Sequence, residues 1–113
     1  MPWHTISHQT LIKELIQPSR PFQLVDIRPK EQFDAGHVRG SVHLNCLALR
    51  RFAEQAHHHT PVVLICRRGR TSRHAAMWLH QLGFTAVYSL SEGFDALSPH
   101  IPEHVERTEA MAL

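Results

Sequence analysis

Residues 61–72 constrain the fold more than any other part of the chain. Four apolar residues, Val62 to Ile65, lead directly into Cys66-Arg67-Arg68-Gly69-Arg70 and then Thr71-Ser72. Such a short, continuous apolar run is typical of a strand buried on both faces, as in a parallel sheet. After Thr71 the apolar residues recur at helical spacing. The sequence therefore predicts a strand, a short loop and a helix in direct succession.

The rest of the chain alternates between the same two patterns. Strand-like apolar runs cover residues 23–27, 42–44 and 86–90, and helical patterns cover residues 7–17, 29–35, 47–56, 71–82 and 93–97. Strands that alternate with helices indicate an α/β fold with a central, mostly parallel sheet and helices on both faces. The length of 113 residues fits one domain. We predict a single domain over residues 1–98 and a surface tail over residues 99–113, because the periodicity fades after Pro99.

Composition argues against several classes of protein. The chain has 12 Lys and Arg against 10 Asp and Glu, a net charge of +2, which provides no broad cationic face for nucleic acid. No apolar run approaches the roughly 20 residues of a membrane span. The first residues lack the pattern of a secretory signal, so we expect a cytoplasmic protein with two free thiols. Neither a nucleic-acid partner nor a membrane partner is expected.

The chain is rich in histidine, with 11 residues, three of them consecutive at His57-His58-His59. A histidine run can bind metal. However, no cysteine or acidic pair stands nearby at ligand spacing. We therefore interpret the run as a solvated loop between a helix and a strand, and we predict no metal and no organic cofactor.

Cys66 is the candidate chemical centre. A loop between a strand and a helix points several backbone N–H groups at one place, and the helix N-terminus adds partial positive charge there. Together with Arg67, Arg68 and Arg70, these groups favour a thiolate at Cys66. Burial as a small structural thiol is the alternative, which three neighbouring arginines make less natural.

Three motifs in order resemble the rhodanese-like domains, a family of sulfurtransferases. Cys66 to Thr71 resembles the family's six-residue active-site loop. The upstream signature is similar to Val25-Asp26-Ile27-Arg28, Phe33, Gly36-His37-Val38 and Gly40-Ser41-Val42-His43-Leu44, and the end of the domain is similar to Gly83 to Tyr88 with Glu92-Gly93. The family usually has Gly-Gly where this chain has Glu92-Gly93.

The resemblance implies a rhodanese-like fold and a covalent sulfur transfer. Cys66 would take a sulfane sulfur from a small donor such as thiosulfate, hold it as a persulfide, and pass it to cyanide or to a thiol acceptor, including a protein thiol. The loop residues that would bind substrate are Arg67, Arg68, Gly69, Arg70, Thr71 and Ser72. Ser72 or Thr71 could also cap the following helix.

Three further residues are predicted to support the site rather than to react. Asp26 and Arg28 stand two apart at a strand end, where such a pair often forms a structural ion pair. His37 is interpreted as a bridge between backbone segments. Cys46 could resolve a persulfide as a disulfide, although a spare thiol is the simpler interpretation.

Other functions stay open beside the sulfurtransferase. A cysteine-based phosphatase or arsenate reductase would need an arginine six positions after the cysteine, but Ser72 stands there and Arg73 follows. A persulfide carrier that serves a protein partner would use the same residues. A non-catalytic rhodanese-type interaction module usually lacks the cysteine, which is present here.

Overall fold

The computed structural model describes residues 3–108. A central sheet contains five parallel strands: β1 (His4–Ile6), β2 (Gln23–Asp26), β4 (Val42–His43), β5 (Val62–Ile65) and β6 (Val87–Leu90). Their order across the sheet is β1-β6-β5-β2-β4. Two further strands, β3 (His37–Val38) and β7 (Val105–Glu106), pair antiparallel beside it. The helices are α1 (His8–Ile16), α2 (Lys30–Ala35), α3 (Cys46–Gln55), α4 (Thr71–Gln81) and α5 (Gly93–Leu97).

Side chains of β5 alternate between two apolar clusters. Val62 and Leu64 pack with residues of α3 and α4, whereas Val63 and Ile65 pack with residues of α1 and α5. All four β5 residues are buried. The predicted α/β fold, with a parallel sheet between two layers of helices, is confirmed.

The order of the strands decides where the site lies. The chain moves from β2 outward to β4 and then crosses back to β5 on the other side of β2. In open sheets of this type, ligands bind beyond the carboxyl ends of the strands where the winding reverses. Asp26 pairs with Ile65 in register at these carboxyl ends. Residues just after β2 and β5 therefore meet at the switch point.

Three short strands were not predicted from the sequence. In β1, His4 and Thr5 are exposed and only Ile6 is half-buried, so this edge strand has almost no apolar pattern. The strands β3 and β7 contain two residues each, too few for a periodicity to appear. These strands are held by pairing with partners far away in the chain, which no local pattern reveals.

The predicted surface tail differs from the structure over residues 101–108. Ile101 is 1% exposed and belongs to the apolar cluster of α1 and α5. Farther along, β7 pairs with β3, and the Arg39 N–H donates to the His104 carbonyl oxygen. Ile101 and the pairing of β7 therefore attach this stretch to the fold, although most of its side chains are exposed. Residues 109–113 of the predicted tail lie outside the described residues.

The histidine run occupies the turn between α3 and β5, as expected for a loop. His58 packs on the Phe84 ring at 4.6 Å, and His59 lies within hydrogen-bond distance of the Thr85 hydroxyl. Within residues 3–108, no three His, Cys, Asp or Glu side chains are grouped as metal ligands. Over the same residues, no helix is long and apolar enough to cross a membrane.

Candidate active site

Cys66 lies immediately after β5 and is only 4% exposed. The loop that follows leads directly into α4. Arg67, Arg68, Arg70 and Thr71 line an open cleft with Cys66 at its floor. The buried thiol therefore lies in a cleft that three guanidinium groups line.

The sulfur of Cys66 accepts hydrogen bonds from the loop backbone. The N–H groups of Gly69 and Ser72 point at Sγ, with N···S distances of 3.1 and 3.3 Å. Ser72 belongs to the first turn of α4, so the positive end of that helix faces the sulfur as well. Two N–H donors and the helix N-terminus therefore surround the sulfur with partial positive charge.

Gly69 is required at its position. Its φ of +82° is left-handed, and a Cβ there would lie 2.7 Å from the Glu92 nitrogen. Only glycine avoids both the strain and the clash. The tight turn at Gly69 is what aims its N–H at the Cys66 sulfur.

The side chain of Ser72 lies on the buried side of the Cys66 sulfur. It is fully buried and does not line the cleft, and α4 has Arg70 as its N-cap residue with no side-chain cap bond. Its hydroxyl lies 3.2 Å from Cys66 Sγ and 2.6 Å from the Ser89 hydroxyl. The Ser72 hydroxyl therefore lies between the Cys66 sulfur and the buried Ser89 hydroxyl.

Ser89 was not identified from the sequence. It stands in β6 on the same side as the buried Val87, where an apolar residue would be expected. A polar residue at a core position of a strand was the available signal. The structure explains it, since the Ser89 hydroxyl is hydrogen-bonded to the Ser72 hydroxyl.

The arginines of the loop are not equivalent. Arg67 Nε donates to Asp95 Oδ2 at 3.1 Å, so part of its charge is neutralised. Arg68 and Arg70 are exposed and have no ion pair within the described residues. They are the cations most available to an anion that enters the cleft.

The start of α5 is hydrogen-bonded to the loop that begins at Cys66. The Phe94 N–H donates to the Cys66 carbonyl oxygen at 2.9 Å, and the Asp95 N–H donates to the Arg67 carbonyl oxygen at 3.2 Å. Gly93 approaches so closely that a Cβ would lie 2.4 Å from the Arg67 carbonyl atoms. The sequence indicated that Gly93 begins a helix, but it did not indicate this contact.

Asp26 and Arg28 form a buried ion pair at the end of β2. Arg28 Nη2 donates to Asp26 Oδ2 at 2.8 Å, and Nε donates to the same carboxylate. Arg28 Nη2 also donates to the Gly36 carbonyl oxygen, and its guanidinium lies 3.8 Å from the Phe94 ring centre. The pair is therefore connected to the Cys66 loop through Phe94.

His37 lies in β3, away from the Cys66 cleft. Its ring stacks on Phe33 at 3.8 Å, and Nδ1 is 2.8 Å from the Phe33 carbonyl oxygen. Nε2 lies 3.6 Å from Glu106 of β7. His37 thus joins α2, β3 and β7, which agrees with a bridging role.

Both cysteines are free thiols, and they differ in exposure. Cys46 is exposed at the start of α3, whereas Cys66 is buried. Asn45 caps α3 by accepting from the Ala48 N–H.

Glu92 stores backbone strain next to the loop. Its φ of +64° makes it the only non-glycine residue with positive φ among residues 3–108. We expect Glu92→Gly to raise the free energy of unfolding by about 1 kcal/mol, since left-handed strain exceeds the extra chain entropy of glycine. Urea denaturation measures the change. Glu92→Ala, which keeps the strain, is the control and should give no such gain; equal stabilisation by both substitutions would contradict the explanation.

A family model of the rhodanese-like domain matches residues 8–100. The chain belongs to the rhodanese-like domain family. The Cys66 loop, the Asp26 and Arg28 pair and the Gly93 contact all fall within the matched residues of this rhodanese-like domain.

Solved structures share this fold at low sequence identity. The rhodanese-like domain of the Alr3790 protein from Anabaena sp. superimposes with a TM-score of 0.80 at 19% identity, covering 99% of this chain and 87% of that one. A rhodanese-like domain protein from Staphylococcus aureus gives 0.74 at 19% identity, covering 83% and 90%. A rhodanese-related protein from Thermoplasma volcanium gives 0.72 at 19% identity, covering 87% and 93%. These likenesses concern the fold.

Proposed function

We propose that this rhodanese-like domain is a sulfurtransferase that carries a sulfane sulfur on Cys66. The observation that carries the proposal is the position of Sγ at the floor of an arginine-rimmed cleft, where it accepts N–H bonds from Gly69 and Ser72. A buried structural thiol needs neither the donors nor the cations. The same donors would stabilise the charge on a persulfide.

In the first step, the Cys66 thiolate attacks the outer sulfur of thiosulfate. A new S–S bond forms, the old S–S bond of thiosulfate breaks, and sulfite leaves with the electron pair. Thiosulfate is a dianion, and Arg68 and Arg70 at the rim attract it. The N–H groups of Gly69 and Ser72 hold Sγ of Cys66 in place throughout this step.

In the second step, an acceptor nucleophile attacks the outer sulfur of the persulfide. Cyanide gives thiocyanate, and a thiolate gives a new persulfide. The bond between the two sulfurs breaks, and its electron pair returns to Cys66. The same N–H donors then stabilise the negative charge that develops on the Cys66 sulfur.

The loop favours sulfur chemistry over phosphoryl transfer. The position where a phosphatase would carry its arginine is Ser72, whose buried hydroxyl is hydrogen-bonded to Ser89. No guanidinium from this position therefore lies beside the Cys66 sulfur.

We also propose a reducing compartment such as the cytoplasm, because each cycle needs Cys66 as a free thiol.

Formation of thiocyanate from thiosulfate and cyanide tests the proposal. We expect turnover by the wild type and by Cys46→Ser, and no detectable turnover by Cys66→Ser, because serine forms no persulfide. The two serine variants make the same chemical change at the two cysteines. Equal activity of Cys66→Ser and wild type, or hydrolysis of a phosphate ester in place of sulfur transfer, would contradict it.

A further inference from the structure

A second depression opens beside the Cys66 cleft, between α3 and α4. Its walls are mainly apolar and are formed by Ile27, Leu44, Leu49, Ala75 and Trp78. It measures about 380 Å³, within the range of about 300–1,000 Å³ for ligand sites. We call it the α3–α4 groove.

The α3–α4 groove adjoins the Cys66 cleft at the start of α4. Thr71 lines both depressions. A ligand that lies in the groove can therefore extend into the Cys66 cleft at Thr71. Nothing in the steps with thiosulfate and cyanide uses this apolar surface.

We infer that the α3–α4 groove binds the sulfur acceptor, and that this acceptor is an extended segment of a partner protein in which a cysteine stands beside apolar and acidic residues. The inference rests on the proposed function and specifies its acceptor. The partner's thiolate attacks the outer sulfur of the Cys66 persulfide and becomes a persulfide itself. The bond to Cys66 breaks, and its electron pair returns to the Cys66 sulfur.

Burial of the thiol explains why the acceptor is an extended segment. Cys66 is 4% exposed in its cleft, which favours a protruding segment over a flat protein face as the acceptor. A cysteine side chain on an extended strand is slender enough to enter. The neighbouring side chains of such a segment then lie along the apolar walls, where burial of their apolar surface stabilises the complex.

Charge explains why the segment is acidic. Arg50 lines the groove, and Arg68 and Arg70 line the adjoining cleft. Of the described residues that line the two depressions, none is a carboxylate. Arg50 has only a weak, exposed contact with Glu54, at 3.8 Å. A surface with cations alone selects acidic partners and repels basic ones.

The test uses two short synthetic peptides that contain one cysteine and no tryptophan. One peptide has leucine and aspartate around the cysteine, and the other has serine and lysine. Persulfide on Cys66 is first formed with thiosulfate, and transfer to each peptide is followed by mass spectrometry. We expect the acidic, apolar peptide to accept sulfur at least about tenfold faster, equivalent to about 1.4 kcal/mol.

Matched variants locate the effect. Arg50→Glu reverses a charge in the groove, and Ala75→Phe fills it; both should remove the preference for the acidic peptide while thiosulfate still loads Cys66. Arg51→Glu makes the same charge change on the same helix outside the groove lining, and Met77→Phe adds an exposed aromatic ring elsewhere on α4. Both controls should keep the preference.

Direct binding separates this inference from the proposed function. The acidic peptide with serine in place of its cysteine should change the fluorescence of Trp78 in the groove wall, and Arg50→Glu should weaken this binding. If the wild type cannot be loaded with sulfur, the proposed function fails. This titration then tests by itself whether the α3–α4 groove binds the acidic peptide. Equal binding of the two peptides would overturn the inference. So would transfer to a short aliphatic thiol at the same rate as to the acidic peptide, if Arg50→Glu leaves both rates unchanged.

Discussion

Asp26→Ala is expected to lower the free energy of unfolding by about 3–5 kcal/mol, because it leaves a buried guanidinium without its counter-charge. Asp26 is 0% exposed and Arg28 is 5% exposed. The carboxylate accepts bonds from Arg28 Nε, Nη2 and the backbone N–H. After its removal, the described contacts of the guanidinium reduce to the Gly36 carbonyl oxygen and the face of Phe94.

Chemical denaturation measures this loss of stability, and two further variants serve as comparisons. Glu54→Ala removes one partner of the exposed pair with Arg50 and should change stability by at most about 0.5 kcal/mol. The double variant Asp26→Leu with Arg28→Met removes both charges and should be more stable than Asp26→Ala alone. A loss below about 1 kcal/mol for Asp26→Ala would contradict the account, since it would mean that Arg28 readily finds other partners.

Gly93→Ala should also be strongly destabilising, by about 2–5 kcal/mol, through two additive causes. Its φ of +75° costs any other residue about 1–2 kcal/mol. The added Cβ would also lie 2.4 Å from the Arg67 carbonyl atoms and 2.5 Å from the Arg68 nitrogen, and forcing extra atoms into a packed place costs about 1–3 kcal/mol. Since the loop must move to relieve this clash, persulfide formation on Cys66 should fall together with stability.

Gly40→Ala is the control that separates the two causes. Gly40 has a similar φ of +87°, but a Cβ there meets nothing within 4 Å. This variant should lose only about 1 kcal/mol and keep sulfur transfer. If Gly93→Ala and Gly40→Ala lose the same stability in urea denaturation, the close approach of α5 to the Cys66 loop has no energetic role.

Local patterns account for the parts of the fold that the sequence predicted. The four apolar residues of β5 identify a central strand, and the glycine after Cys66 indicates a tight loop before α4. Ser7 caps α1 by accepting from the Thr10 N–H, as its position before an amphipathic pattern suggests. These features depend on neighbours in the sequence, so they can be recognised without the tertiary structure.

Long-range contacts account for what the sequence did not predict. Ser89 is hydrogen-bonded to Ser72 across 17 positions, and the start of α5 contacts the loop from a separate part of the chain. Ile101 is buried although the residues around it look like an exposed tail. Glu92 is left-handed despite its side chain. The contacts of Ser89, of the start of α5 and of Ile101 are with residues distant in the sequence, so the local pattern does not identify their partners.

The central claim is that Cys66, beside the N–H donors of Gly69 and Ser72, takes up a sulfane sulfur as a persulfide. Intact-mass spectrometry after incubation with thiosulfate tests it most directly, with the wild type, Cys46→Ser and Cys66→Ala compared. The account predicts a gain of one sulfur atom in the wild type and in Cys46→Ser, no gain in Cys66→Ala, and complete reversal by cyanide. A wild type that gains no sulfur, or a gain that persists in Cys66→Ala, would contradict it.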